Sequence, residues 1–155
     1  MVQGETARPG ILCRYDPHFC KEGALWEMRF VLLAILYMAG IFYASTLSGH
    51  DAARLAGPLG LPDYVLHAIA FAGLAVVWRL ALIRGFRVSL RTAPWLALGI
   101  CAVYGLSDEI HQSFVDGRDA SATDLLADVV GAGVALIVAG WLSRRRSAKA
   151  AQQAG

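Results

Sequence analysis

Residues 29–47 read RFVLLAILYMAGIFYASTL, and this almost unbroken apolar stretch decides the fold class of the chain. Apart from Arg29 at its start, its polar side chains, Ser45 and Thr46, stand near its C-terminal end. With a rise of about 1.5 Å per residue, a helix of this length is about long enough to cross the hydrocarbon of a bilayer. The stretch therefore predicts a transmembrane helix.

Three further apolar runs follow it, at residues 64–83, 94–115 and 123–142. The run at 64–83 carries Arg79 near one end, where a long side chain is expected to reach the membrane interface. The chain as a whole is 57% hydrophobic and only 17% charged, which is too apolar for a soluble domain of 155 residues. We therefore predict an all-α integral membrane bundle of four transmembrane helices with short loops and a polar cluster at its outer end.

Basic residues in the connections orient the predicted bundle. Arginines crowd residues 84–91 and 144–146, whereas the loops at 48–63 and 116–122 hold one arginine each. The positive-inside rule then predicts that both termini of this multi-pass protein lie on the cytoplasmic side of a bacterial cytoplasmic (inner) membrane. The same charge asymmetry indicates a membrane topology rather than a nucleic-acid surface, so no nucleic-acid partner is expected.

The domain division follows from these spans. Residues 1–27 are expected to be a cytoplasmic tail, either disordered or the product of a misassigned start codon, because Met28 stands directly before the first span. Residues 28–143 form the predicted transmembrane domain. Residues 144–155 form a basic cytoplasmic tail.

The polar residues of the four runs converge on the predicted outer end. At 100° per residue, the third and fourth runs each have a polar face toward the bundle and an apolar face toward lipid. The predicted lipid-facing residues are Val103, Leu106, Ile110 and Phe114 in the third run and Leu126, Val130 and Ile137 in the fourth. The predicted inner cluster consists of Ser45, Ser48, His67, Asp108, Glu109, His111, Gln112, Arg118, Ser121, Asp124 and Asp128.

Burying carboxylates in a membrane costs about 2.5 to 3.5 kcal/mol per Asp at a helix centre, so the cluster needs a compensating benefit. One interpretation is structural, with Arg118 pairing with Asp108 or Asp124 to pin the outer loop. The functional interpretation is favoured for the whole set, because ionisable groups within a membrane mark functional sites. P-loop, dinucleotide, Gly-x-Ser-x-Gly and His-Glu-x-x-His motifs are absent from the sequence.

An acid, imidazole and guanidinium cluster suits proton transfer at an oxygen or phosphate. Glu109 or Asp108 is the candidate acid/base, and His67 or His111 its catalytic partner. Arg118 is the candidate phosphate clamp, because a guanidinium donates two parallel N–H groups to an anion. The remaining candidate substrate-binding residues are Gln112, Ser121, Asp124, Asp128, Ser45 and Ser48. We predict no cofactor and no metal, and the lesser alternative is a metal held by Glu109, Asp124 and the histidines.

Two parts of the chain carry a resemblance to a known family. Residues 104–135 read YGLSDEIHQSFVDGRDASATDLLADVVGAGVA, and Asp63-x3-His67-x3-Phe71 follows a Ser-Thr-Leu-Ser run at residues 45–48. These motifs resemble the VanZ-like family of bacterial membrane proteins, named for a protein associated with teicoplanin resistance. The sequence departs from the family pattern at Tyr64 and Asp116, where many members have lysine and proline.

The resemblance implies a membrane location and a link to the cell envelope, without supplying a reaction. The leading hypothesis is an enzyme that acts on the headgroup or phosphate linkage of a membrane lipid or lipid-linked envelope precursor. The alternative is a non-catalytic membrane protein that binds or shields against glycopeptide-type antibiotics. A small proton-coupled transporter is less favoured, because the cytoplasmic halves of the runs hold almost no titratable residue besides Arg79.

Overall fold

The computed structural model describes residues 17–153, and the regular structure in this part of the chain is entirely helical. The all-α prediction is therefore confirmed. The helices are α1 (Pro17–Ser45), α2 (Gly49–Ala56), a 3-10 turn (Gly57–Leu59), α3 (Asp63–Arg84), α4 (Ala93–Gln112) and α5 (Ala122–Gln153).

Three of these helices are long and apolar enough to cross a membrane, in the segments Met28–Ser45, Asp63–Arg84 and Ala122–Gln153. The prediction of four such helices is met only in part. Helix α4 has a suitable length of 20 residues, but Asp108, Glu109 and other polar residues in its last turns lower its mean hydropathy.

The helix ends differ from the sequence-based boundaries in three places. Helix α1 begins at Pro17, so residues 17–27 of the predicted tail belong to it, while residues 1–16 lie outside the described part. Good helix formers such as Glu22 and Ala24 account for the extension. Helix α2 occupies much of the predicted loop at residues 48–63, and α5 continues through the predicted C-terminal tail to Gln153.

Arg79 is buried in the bundle and contacts α5. This side chain is only 8% exposed, and its NH2 group donates to Oγ of Ser143 at 3.5 Å. The guanidinium is thus held against α5 instead of extending out of the bundle. Its place at the membrane interface stays a prediction.

Helix α3 is the centre of the bundle and packs against α5, α1 and α4. The buried core lies along these interfaces and consists of Phe71, Leu74, Ala75, Leu82, Ala93, Ala97, Cys101, Ala132 and Leu136. The outer faces are apolar, as the helical period predicts: Val103 is 71% exposed and Ile137 is 74% exposed. Large apolar side chains exposed along whole helices indicate that lipid covers these faces.

Helices α3 and α5 approach each other closely at Gly131. A Cβ atom added at Gly131 would overlap the backbone carbonyl of Ala68. Only a residue without a side chain allows the two backbones to come this close. Gly131 therefore fixes the register of α5 against α3.

We expect Gly131→Ala to lower the free energy of unfolding by about 1 to 3 kcal/mol, because the added methyl must push α5 away from α3. Gly133→Ala is the matched control, since no described atom beyond the neighbouring backbone of its own helix lies within 4 Å of its Cβ position. The control should leave stability unchanged or raise it slightly through helix propensity. Thermal unfolding of both variants in detergent, followed by tryptophan fluorescence, measures the difference. Equal stabilities would contradict the tight contact.

Candidate functional site

The end of α1, helix α2, the start of α3, the end of α4 and the loop before α5 line an open cavity of about 640 Å³. Its walls combine polar side chains with apolar ones. The polar lining residues include Ser45, Asp63, His67, Asp108, Gln112 and Arg118, and the apolar ones include Ile41, Leu66 and Phe71.

A buried imidazole lies between two carboxylates at one wall of this cavity. Nδ1 of His67 lies 3.1 Å from Oδ1 of Asp128 and 3.9 Å from Oε1 of Glu109. Asp128 is 0% exposed and Glu109 is 4% exposed. An ionised carboxylate only accepts hydrogen bonds, so this contact favours a proton on Nδ1 and leaves Nε2 as the ring nitrogen that can exchange a proton with a ligand.

Glu109 is held in place by the first turn of α5. The backbone N–H of Ser121 donates to Oε2 of Glu109 at 2.7 Å, and Oγ of Ser121 accepts from the N–H of Asp124 at 3.3 Å. The Glu109 carboxylate thus satisfies the N–H of Ser121, directly before α5. The Ser121 hydroxyl is a second acceptor for the N–H of Asp124, which also donates to the Ser121 carbonyl at 3.1 Å. The end of α4 is thereby tied to the beginning of α5.

A second polar chain connects Arg118 with Asp108 through Gln112. NH1 of Arg118 donates to Oδ2 of Asp63 at 3.3 Å and to Oε1 of Gln112 at 3.3 Å. Nε2 of Gln112 in turn donates to Oδ2 of Asp108 at 2.9 Å. The predicted direct pairing of Arg118 with Asp108 or Asp124 is therefore replaced by pairing with Asp63 and Gln112.

The loop that carries Arg118 is docked on α2. Gly117 has a φ of 73°, in the left-handed region that favours glycine. The N–H of Gly49 donates to the carbonyl of Asp116 at 3.1 Å, and a Cβ at residue 49 would overlap the carbonyl of Gly117. The paired glycines let the loop lie against α2 and hold Arg118 at the cavity.

Some predicted site residues have other surroundings. The ring of His111 packs on Phe42, with 4.7 Å between the ring centroids. Ser48 caps α2, because its Oγ accepts from the N–H of Asp51 at 3.2 Å. Ser45 is buried and lines the cavity, as the cluster prediction requires.

Asp63 is the main residue that the site prediction omitted. It binds Arg118, and its carboxylate, the His67 ring and the Asp124 carboxylate have atoms within 4.8 Å of one another. Its position one helical turn before His67 is the signal that could have identified it, because residues four apart share a helix face.

Comparison with known proteins gives one match. Residues 30–143, most of the chain, match the VanZ/LLP1 family. This range contains the cavity and both polar networks. No curated protein and no solved structure matches the chain.

Glu109→Ala should lower the free energy of unfolding by about 1 to 3 kcal/mol, because it leaves the Ser121 N–H without its acceptor in a partly buried position. Glu109→Gln should cost less, since its amide oxygen can still accept that bond. Asp119→Ala, at an exposed loop residue, is the control and should change stability by less than about 0.5 kcal/mol. Thermal unfolding in detergent ranks the variants, and equal losses for Ala and Gln would contradict the capping role.

Proposed function

We propose that this chain, which belongs to the VanZ/LLP1 family, is a membrane enzyme that performs acid–base chemistry on the headgroup or phosphate linkage of a membrane lipid or lipid-linked envelope precursor. The observation that carries the proposal is the His67–Asp128 pair on the wall of a cavity that also presents Arg118. An imidazole oriented by a buried carboxylate is suited to move protons. A guanidinium is suited to bind a phosphate.

The lining of the cavity favours a lipid over a small polar substrate. Ile41 and Leu66 line it together with the polar groups, and the helices around it have apolar outer faces. A substrate with an apolar chain and a charged headgroup would contact the apolar lining with its chain and the polar lining with its headgroup. In this assignment Arg118 binds the phosphate, and His67 and Glu109 carry the protons.

Asp108 and Gln112 have supporting roles in the proposed mechanism. Gln112 accepts from Arg118 and donates to Asp108, so it orients the guanidinium without neutralising it. Asp108 is buried and also lines the cavity. It is the second acid/base candidate, while Asp63 limits the rotation of Arg118 from the opposite side.

The proposal includes the membrane arrangement in which α4 is a fourth span and both termini are cytoplasmic. The 20 residues of α4 correspond to about 30 Å of helix, which is about the hydrocarbon thickness. Its polar end is covered by α3 and α5 through His67 and Ser121. The cavity then opens on the outer face of the cytoplasmic membrane.

The chemical proposal is tested with the full chain reconstituted in vesicles made from a bacterial lipid extract, with lipid products measured by mass spectrometry. His67→Asn should lower turnover by about 100-fold or more, because its amide can replace Nδ1 as a donor to Asp128 but cannot replace Nε2. Arg118→Lys should lose most activity, because an ammonium cannot bind a phosphate with two parallel N–H groups. Arg54→Lys, at an exposed residue of α2, is the control and should retain activity.

Unchanged turnover in both His67→Asn and Arg118→Lys would contradict the assignment. If the parent chain binds lipid or a glycopeptide-type antibiotic but yields no product, the non-catalytic binding or shielding function replaces the proposed one.

The topology is tested by reporter fusions along the chain. Fusions at Arg87 and after Arg146 should report a cytoplasmic location, and fusions at Gly57 and Gly117 an external one, because the basic loops stay inside. An external signal at Arg87 together with a cytoplasmic signal at Gly117 would reverse the orientation. Identical signals at Arg87 and Gly117 would show that α4 does not cross the membrane.

A further inference from the structure

The cluster of His67, Glu109 and Asp128 contains more acceptor atoms than it has donors. Oε1 of Glu109 and Oδ2 of Asp128 are both buried and have no hydrogen-bond partner among the described residues. Buried acceptors without partners are costly, and the cost is greater for charged groups. The cluster thus has unfilled capacity for a positively charged ligand.

The charge balance of the cluster also favours a bound cation. Among the described side chains, no Lys or Arg forms an ion pair with Glu109 or Asp128, and Arg118 instead pairs with Asp63. Even a protonated His67 would balance only one of the two buried carboxylates. A divalent cation bound by a neutral imidazole would balance both.

The distances also suit a shared ion. One ligand atom from each of the three side chains lies within 4.8 Å of the others, with 3.1 Å and 3.9 Å from Nδ1 of His67 to its two carboxylate neighbours. Two ligands bound at about 2.1 Å to one metal lie about 3.0 to 3.4 Å apart, depending on the geometry. The 3.9 Å separation of Oε1 of Glu109 from Nδ1 of His67 exceeds that range, so binding requires the Glu109 side chain to move toward His67.

We propose that His67, Glu109 and Asp128 form a site for a divalent cation that accepts one nitrogen and two oxygen ligands, such as Mn²⁺ or Zn²⁺. The cation takes the place of the proton between His67 and Asp128. Three protein ligands leave coordination positions open for a further ligand such as water. The site rests on the geometry of the cluster and not on the proposed lipid chemistry.

The test is Mn²⁺ binding to the full chain in detergent after chelator treatment, with free Mn²⁺ measured by electron paramagnetic resonance. Mn²⁺ is the probe because it prefers oxygen and nitrogen ligands, whereas cysteine sulfur binds Zn²⁺ more strongly. We expect one tightly bound Mn²⁺ per chain. Glu109→Gln and Asp128→Asn should each weaken binding by about tenfold or more, and Asp119→Asn should bind as the parent does.

Both amide variants keep the shape of the side chain and one acceptor oxygen, and thermal unfolding identifies any variant that does not fold. If one of them fails to fold, the other still decides the result. The absence of saturable Mn²⁺ binding in the parent, or equal affinity in the parent and a folded amide variant, would overturn the site.

No lipid takes part in this measurement. Binding without lipid turnover would therefore count against the proposed function alone, whereas turnover that survives chelation in a chain that binds no Mn²⁺ would count against the cation site alone.

Discussion

The close contact between the backbones of α3 and α5 is the constraint on which the rest of the structure depends. His67 directly precedes Ala68, and Asp128 lies one helical turn before Gly131. The distance at which these backbones touch therefore determines the distance between the imidazole and the carboxylate. A bulkier residue at position 131 would separate the pair even though it lies outside the polar network.

The helical period was sufficient to predict the faces of the bundle but not its pairings. It identified Val103 and Ile137 as outward-facing, because a repeat of 3.6 residues relates sequence position to direction. The order of the runs and loops predicted that the polar ends of the helices lie at one end of the bundle. His67 and Glu109 are indeed neighbours there. Which carboxylate meets which cation depends on small rotations and translations between helices, and no periodic pattern contains that information.

Three residues show which contacts can and cannot be predicted from the sequence. His111 shares a helix face with Asp108, yet its ring packs on Phe42 of α1. Asp63 looks like an ordinary acidic residue in the first turn of a helix, although it binds Arg118 across the cavity. The role of Ser48 was available from the sequence, because Ser-x-x-Asp before a helix is a capping signature.

The bond between Glu109 and the N–H of Ser121, directly before α5, has a consequence for how the chain is inserted during its synthesis. During synthesis α4 leaves the ribosome before α5, and the Glu109 carboxylate then lacks the Ser121 N–H from which it accepts. An ionised carboxylate is costly in hydrocarbon, so α4 alone is better accommodated in the more polar translocon than in lipid. In the proposed four-span form, the last two helices therefore enter the bilayer as a hairpin, and release of α4 is delayed until α5 has been translated.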